Sequence, residues 1–235
     1  MCSAVVSPSE SGTPESGRVR SFFLEGPAGR IEALLNEASL DARYAALVCH
    51  PHPVGGGTLH NKVVYHAMKA FNAPSFSHGW PVLRFNFRGT GLSEGVHDGA
   101  AEWEDVAAAI EWLITEYKLP IVTAGFSFGA AMMLKSCCKK QVGAGYVRGV
   151  VALGLPTQSR GSHYNYAYLS NCRLPKLFLS GDKDQYAPVD EWWRVTNHAS
   201  DPKSQALIPG ADHFFTGQLE AMQRALSGWL TERFQ

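Results

Sequence analysis

The feature that most constrains the fold is the alternation of strand-like and helix-like segments from Ala45 onward. Short, mostly apolar runs are separated by stretches in which apolar side chains recur at helical spacing, most clearly in Glu102–Tyr117, where Val106, Ile110 and Leu113 share one face. Such alternation predicts a mostly parallel sheet with helices on both faces. Strands covered on both faces are expected to be largely apolar, as most residues of these runs are.

The order of the segments also predicts where a site would lie. Two strands near the start are close enough to form a hairpin, and in sheets of this kind ligands bind beyond the carboxyl ends of the strands. Residues that directly follow strands are therefore the candidates for chemistry. The predicted strands are Val19–Leu24, Ile31–Leu35, Ala45–Cys49, Val82–Phe87, Ile121–Ala124, Gly149–Leu153, Lys176–Leu179 and Gln205–Ile208, and the predicted helices are Asn61–Phe71, Glu102–Tyr117, Gly129–Lys139, Val189–His198 and Gly217–Thr231.

Composition bounds the classes of function. With 235 residues, 45% of them hydrophobic, the chain can bury one substantial core. Its 21 basic and 21 acidic residues give a formal net charge of zero, so no basic field favours nucleic acid or an anionic membrane as a partner. No apolar run is long enough for a transmembrane helix. We expect a disordered tail over residues 1–17 and a single domain over residues 18–235. The sequence does not indicate the oligomeric state.

The cysteines indicate a compartment. Cys2, Cys49, Cys137, Cys138 and Cys172 are an odd number without regular spacing, and three of them fall in predicted strands or helices. This usage is typical of reduced, buried thiols and not of a disulfide framework. Since the N-terminus also lacks a secretory signal, we predict a cytoplasmic location.

The strongest motif is Gly125–Gly129, with the sequence GFSFG, between a predicted strand and a predicted helix. A nucleophile on a sharp strand-to-helix turn needs a strained backbone, and glycine two residues before and after it relieves the crowding. The helix N-terminus then favours the developing negative charge. Ser127 is thus the candidate nucleophile, and the alternative is a glycine-rich turn with an incidental serine.

A serine nucleophile requires a base and an orienting acid. His213 follows the last strand and is the candidate base, whereas His198 is interpreted as a solvent-facing residue at a helix end. Asp184 is the candidate acid, with Asp182 as a turn residue and Asp212 directed away. The chain order Ser, Asp, His is that of one hydrolase architecture and differs from the chymotrypsin and subtilisin orders.

The segment His50–Thr58, with the sequence HPHPVGGGT, follows another strand. Its backbone can supply an N–H opposite that of Phe128 to form an oxyanion hole. The prolines have no N–H, so the donor is His52 or Val54, and we favour His52. Two alternatives are less favoured. His50 and His52 could bind a metal ion, but no third ligand at suitable spacing is obvious. The glycines could form a phosphate-binding loop, but no Gly-Lys-Ser/Thr follows them.

The glycine-rich segment Phe85–Gly95 suggests a dinucleotide loop at first sight. Its spacing is G-x-G-x-x-x-G instead of G-x-G-x-x-G, and the next helix begins several residues later. We interpret this segment as a structural loop beside the site, and we expect no cofactor and no metal.

Together these segments resemble the α/β-hydrolase superfamily, and more narrowly its small, lidless, dienelactone-hydrolase-like and bacterial serine esterase-like members. The resemblance runs from about Arg18 to Phe234 and implies an α/β-hydrolase fold, with a mostly parallel eight-stranded sheet, helices on both faces and no substantial lid domain. It implies Ser127 as nucleophile, His213 as base and Asp184 as acid. The matching segments are His50–Gly57, Asn61–Val64, Asn86–Gly95, Gly125–Gly129 and Asp212-His213, and Asp184 fits the Gly-x-x-Asp-x-x-x-Pro pattern of the fold.

Departures from relatives narrow the expectation. At the nucleophile position of the strand-to-helix turn, which we call the elbow, dienelactone hydrolases use cysteine. Epoxide hydrolases and haloalkane dehalogenases use aspartate there, whereas this chain has Ser127. Where many relatives carry a helical lid, this chain has only Pro156–Arg173, with Tyr164, Tyr166 and Tyr168. These tyrosines are predicted to bind substrate, with surface packing as the equal alternative.

The sequence therefore predicts a serine hydrolase that cleaves a small carboxylic ester or thioester through an acyl-enzyme. A peptidase or amidase with the same triad is one alternative. A non-catalytic binding protein on a hydrolase scaffold is the other.

Overall fold

A computed structural model describes residues 18–38, 41–72, 79–159 and 162–234. The tail predicted over residues 1–17 lies outside the described residues. So does Cys2.

The described residues form one eight-stranded sheet and a separate two-stranded hairpin. The strands of the large sheet are β1 (Val19–Gly26), β2 (Gly29–Asn36), β3 (Ala45–Cys49), β4 (Val82–Phe85), β5 (Ile121–Phe126), β6 (Val147–Leu153), β9 (Lys176–Gly181) and β10 (Lys203–Ile208), and the hairpin joins β7 (Gln158–Ser159) to β8 (Ser162–His163). The sheet order is β1-β2-β4-β3-β5-β6-β9-β10. In the large sheet β1 pairs antiparallel with β2, and β2 with β4, while its other neighbouring strands pair parallel. The predicted mostly parallel sheet and N-terminal hairpin are confirmed.

The part of the chain that the structure describes contains five α-helices, each overlapping a predicted helix. They are α1 (Lys62–Phe71), α2 (Trp103–Tyr117), α3 (Phe128–Leu134), α4 (Val189–His198) and α5 (Leu219–Phe234), and a π-helical turn, Lys135–Lys139, continues α3. The main differences are at element ends. Asn61 lies just outside α1 because its side chain accepts a hydrogen bond from Val63 N at 2.9 Å and caps the helix. β4 ends at Phe85, two residues before the predicted end.

Helices cover both faces of the sheet, as the apolar strands predicted. In β3, Leu47 belongs to a core with residues of α2, α3 and α4, whereas its neighbour Val48 belongs to a second core with residues of α1 and α5. Alternate side chains of one strand thus enter opposite cores. The carboxyl ends of β3, β5 and β9 meet at one edge of the sheet, where the candidate site lies.

The cysteine prediction requires a correction. Cys138, in the π-helical turn, and Cys172 form a disulfide across 34 residues of sequence, whereas Cys49 and Cys137 are buried free thiols. The pairing has no spacing signature because the fold, and not the local sequence, brings the two residues together. The prediction of reduced thiols is therefore wrong for this pair.

No helix of the described residues is both long and apolar enough to cross a membrane.

Candidate active site

The Gly125–Gly129 segment forms a sharp turn between β5 and α3. Ser127 adopts φ 54° and ψ −121°, a backbone conformation that non-glycine residues rarely adopt. A Cβ at Gly125 would lie 2.5 Å from the backbone of Gly129, and a Cβ at Gly129 would lie 2.3 Å from His50 O. Glycine is therefore required at both positions, and together they raise the Ser127 side chain above the end of the sheet.

Three side chains from three loops meet at this edge of the sheet. Ser127 Oγ lies 2.9 Å from His213 Nε2, and His213 Nδ1 lies 2.9 Å from both carboxylate oxygens of Asp184. With its proton on Nδ1, the His213 ring donates to Asp184 and accepts from the Ser127 hydroxyl. His213 is 2% exposed and Asp184 4% exposed, so water competes little for these contacts. We call these three residues the triad.

Asp184 is held by two further donors. Ser180 Oγ, at the end of β9, donates to Asp184 Oδ2 at 3.0 Å, and Tyr186 N donates to Asp184 Oδ1 at 2.8 Å. The carboxylate is thus fixed on both oxygens while it faces His213. Sequence analysis missed Ser180, although its place at the end of a strand, four residues before Asp184, was a usable signal.

The competing acidic residues have other roles. Asp182 Oδ1 accepts a hydrogen bond from Gly210 N at 2.7 Å, which ties together the loops after β9 and β10. Asp212 Oδ1 accepts from Phe214 N at 3.0 Å and from Thr216 N at 2.9 Å. Asp182 was predicted to bond loop backbone and does so, while Asp212, which was predicted to point away from His213, also accepts from loop backbone. His198 is exposed at the end of α4.

His50 is a buried structural residue. Its Nδ1 donates to Pro51 O at 2.6 Å, and its Nε2 accepts from Phe87 N at 2.9 Å. Burial lowers the pKa of His50 to about 3, which keeps the ring neutral. Because both ring nitrogens are engaged, His50 has no lone pair to offer a metal ion.

The structure distinguishes the two predicted oxyanion donors in the segment after β3. Residues Pro53–Gly55 form a short 3-10 helix, and Val54 N donates to His52 Nδ1 at 3.2 Å. That bond directs the Val54 N–H toward the imidazole, which favours His52 N–H as the donor. Phe128 begins α3, and the first N–H groups of a helix have no intrahelical acceptor.

A cavity of about 200 Å³ opens beside the triad. It is lined by Pro51, His52, Gly55, Gly56, Gly57, Asn61, Ser127, Phe128, Pro156, Tyr164, Tyr186, His213 and Phe214. The catalytic serine and base candidates, and the two residues predicted as oxyanion donors, therefore share one space. No Asp, Glu, Lys or Arg is among the described residues that line it.

The family assignment follows from comparison with known proteins. Residues 45–225 match the family described as an alpha/beta hydrolase domain. The chain belongs to this family. The uncharacterized protein RP471 of Rickettsia prowazekii (strain Madrid E) is 33% identical over 219 residues, covering 89% of this chain and 87% of that protein.

Solved structures of alpha/beta hydrolases extend the comparison. An alpha-beta serine hydrolase homologue from Coxiella burnetii is 32% identical, with a TM-score of 0.79, covering 94% of this chain and 100% of that one. XC6422 from Xanthomonas campestris, described as a serine hydrolase without lid, is 27% identical with a TM-score of 0.78, covering 91% and 94% of the two chains. The predicted resemblance to small, lidless alpha/beta hydrolases is confirmed.

This alpha/beta hydrolase has a short segment where larger members carry a lid. In the described residues between β6 and β9, the chain forms the β7–β8 hairpin and a 3-10 helix, Ala167–Asn171, but no α-helix.

The three tyrosines of this segment do not act together. Tyr164 lines the cavity of the triad, whereas Tyr166 and Tyr168 do not. Tyr166 is buried, and its hydroxyl donates to Pro156 O at 2.8 Å; Tyr168 packs partly buried against the same core. Of the three tyrosines predicted to bind substrate, the structure thus places Tyr164 at the cavity of the triad, while Tyr166 and Tyr168 pack against the core.

The glycine-rich loop after β4 is structural in this alpha/beta hydrolase. Asn86 Oδ1 accepts from Leu59 N at 2.8 Å, and Arg88 forms a buried ion pair with Asp105 at 2.7 Å. The described residues also contain no group of three or more His, Cys, Asp or Glu side chains arranged to hold a metal ion.

Proposed function

We propose that this alpha/beta hydrolase is a serine carboxylesterase that cleaves small, uncharged esters or thioesters through an acyl-enzyme. The observation that carries the proposal is the set of three 2.9 Å contacts that link Ser127 to His213 and His213 to both carboxylate oxygens of Asp184, beside the cavity. A nucleophile, its base and an orienting acid within hydrogen-bond reach are the requirement for acyl transfer by serine.

The reaction proceeds in two halves. Ser127 Oγ attacks the ester carbonyl carbon while its proton passes to His213 Nε2, and Asp184 stabilises the imidazolium. The tetrahedral intermediate collapses, and the leaving alcohol or thiol takes the proton from His213. Water then attacks the acyl-enzyme with His213 as base, and release of the acid restores Ser127.

Two backbone groups stabilise the negative oxygen of the intermediate. We assign this role to Phe128 N–H, supported by its position at the start of α3, and to His52 N–H, supported by the engagement of Val54 N–H elsewhere. Loss of one such donor typically costs about 10²–10³ in rate.

The cavity supports a small and uncharged substrate. Its lining contains aromatic side chains, namely Tyr164, Tyr186, Phe128 and Phe214, and the neutral amide of Asn61. A volume of about 200 Å³ is below the range of about 300–1,000 Å³ typical of sites for drug-sized ligands. A short acyl group or an aromatic ring fits these limits better than a long lipid chain.

The location of the enzyme stays a prediction. The buried free thiols of Cys49 and Cys137 support the cytoplasm, whereas the Cys138–Cys172 disulfide does not.

The test is the intact mass after treatment with a fluorophosphonate, followed by peptide mapping. We expect one adduct on Ser127, strongly slowed in His213→Ala and absent in Ser127→Ala. Hydrolysis of a short aryl ester should be lost in the same variants at unchanged melting temperature. A folded protein without an adduct would instead favour a non-catalytic binding protein on this scaffold.

A matched ester and amide pair separates esterase from amidase. We expect turnover of the ester to exceed that of the amide by orders of magnitude. Comparable rates would favour a peptidase or amidase with the same triad.

A further inference from the structure

A second histidine–carboxylate pair lies beside the cavity. His97 Nδ1 is 2.5 Å from Glu102 Oε1, and the two side chains are 15% and 0% exposed. The same carboxylate oxygen accepts hydrogen bonds from Asp98 N at 2.9 Å and from Gly99 N at 3.0 Å. Glu102 thus holds the backbone of the loop that carries His97, and its carboxylate lies against the His97 ring without a hydrogen bond to Nδ1.

The His97 ring contacts the side chains of both residues that we assign to the oxyanion. Its centroid lies 4.8 Å from that of His52 and 5.5 Å from that of Phe128, and the His52 and Phe128 rings are 4.9 Å apart. These spacings are those of favourable aromatic pairs. The three rings, which we call the ring cluster, therefore pack as one unit.

The ring cluster joins segments that are distant in sequence. His52 follows β3, Phe128 begins α3, and His97 comes from the loop between β4 and α2. Oxyanion donors act only when both lie about 2.7–3.1 Å from the position that the charged oxygen reaches. The two donors follow the paired strands β3 and β5, and His97 packs against both donor residues, where it constrains the remaining freedom of their spacing.

We propose that His97, on the loop that Glu102 holds, is a positioning residue that sets the spacing of the His52 and Phe128 N–H groups; this inference rests on the proposed function. His97 is not among the residues that line the cavity, so it acts through the two donors and not on the substrate. Its loss should weaken stabilisation of the transition state and leave ground-state binding nearly unchanged.

The experiment compares His97→Ala and His97→Phe with wild type on a short aryl ester. Rates are divided by the number of sites that a fluorophosphonate labels at saturation, so that misfolded protein does not count. His66→Ala is the matched control, because His66 is also partly buried with a polar partner, Gln223 Oε1 at 2.9 Å, but lies away from the triad.

We expect His97→Ala to lower kcat per labelled site by about 10- to 100-fold, less than the loss of a whole donor, with KM within about twofold. His97→Phe keeps a ring of similar size against both partners, so its kcat should stay within about threefold of wild type. Glu102→Gln should lower kcat less than His97→Ala does, because the amide oxygen can still accept from Asp98 N and Gly99 N in the loop that carries His97. His66→Ala should match wild type.

The outcomes separate this inference from the proposed function. If wild type is labelled on Ser127 but His97→Ala retains kcat, changes only KM or behaves like His97→Phe, the positioning role is overturned while the esterase proposal stands. If folded wild type is not labelled, the proposed function fails and this inference fails with it.

Discussion

Ser180 Oγ donates a hydrogen bond to Asp184 Oδ2 at 3.0 Å, between two side chains that are buried almost completely. The bond leaves the carboxylate free to receive His213 Nδ1–H on the side that faces the ring. It connects the end of β9 to the orienting member of the triad. Ser180 therefore fixes the carboxylate that His213 contacts, and it makes no hydrogen bond to Ser127.

Ser180→Ala tests that connection. A hydrogen bond to a charged group contributes about 1.5–3 kcal/mol, and we expect a reduction in kcat of about tenfold with little change in KM. Steady-state kinetics on an aryl ester measure it. Ser170→Ala is the matched control, since its hydroxyl donates to Ala167 O at 2.8 Å in a segment away from the triad. Equal activity of the two variants would show that the Ser180–Asp184 hydrogen bond does not contribute to kcat.

Gly129→Ala tests the packing at the elbow. The added Cβ would lie 2.3 Å from His50 O and 2.6 Å from Cys49 O, and backbone atoms at the end of a central strand cannot move aside. We expect a loss of about 3 kcal/mol in the free energy of unfolding, measured by urea denaturation. Gly228→Ala, inside α5 with no atom within 4 Å of the new Cβ, should instead stabilise by about 0.5–1 kcal/mol. A Gly129→Ala protein as stable as wild type would contradict the geometry.

His50 predicts a specific acid sensitivity. Burial lowers its pKa to about 3 from an ordinary value of 6.5, so below pH 6.5 the unfolded chain binds a proton that the folded protein does not. Stability from this group is complete above pH 6.5 and falls by about 1.4 kcal/mol per pH unit as pH drops toward 3. His50→Gln, whose side-chain oxygen can accept from Phe87 N, should reduce that slope between pH 4.5 and 6 in urea titrations. Parallel curves for the two proteins would rule the mechanism out.

Tyr164 and Tyr166 offer a paired test of the cavity wall. Tyr164→Ala enlarges the cavity that it lines, so we expect the preferred acyl chain in a series of esters to lengthen. Tyr166→Phe removes only the hydroxyl that donates to Pro156 O, so it should lower stability by about 1 kcal/mol and leave the chain preference unchanged. A shift of preference in Tyr166→Phe and none in Tyr164→Ala would reverse the assignment.

The sequence was most informative where the determinants are local. The position of Ser127 at a sharp strand-to-helix turn could be predicted because the five consecutive residues Gly125–Gly129 contain both flanking glycines. His213 and Asp184 could be predicted because each directly follows an apolar strand, and parallel strands bring such positions to one edge.

Other features depend on contacts between segments that are distant in sequence, so the local sequence could not predict them. Cys138 and Cys172 have no pairing signal, and the direction of each tyrosine after β6 depends on core packing that no spacing encodes. The His97–Glu102 pair was hidden because each residue is unremarkable among its neighbours until His52 and Phe128 are placed against it.

The Cys138–Cys172 disulfide covalently links the part of the chain that contains Ser127 to the part that contains Asp184 and His213. Ser127 precedes the covalent loop that this disulfide closes, whereas Asp184 and His213 follow it. A peptide bond hydrolysed anywhere between residues 138 and 172 would therefore leave the nucleophile on one fragment and the acid and base on the other, still linked through sulfur. Such a nicked protein would migrate as a single species without reductant and as two fragments with it.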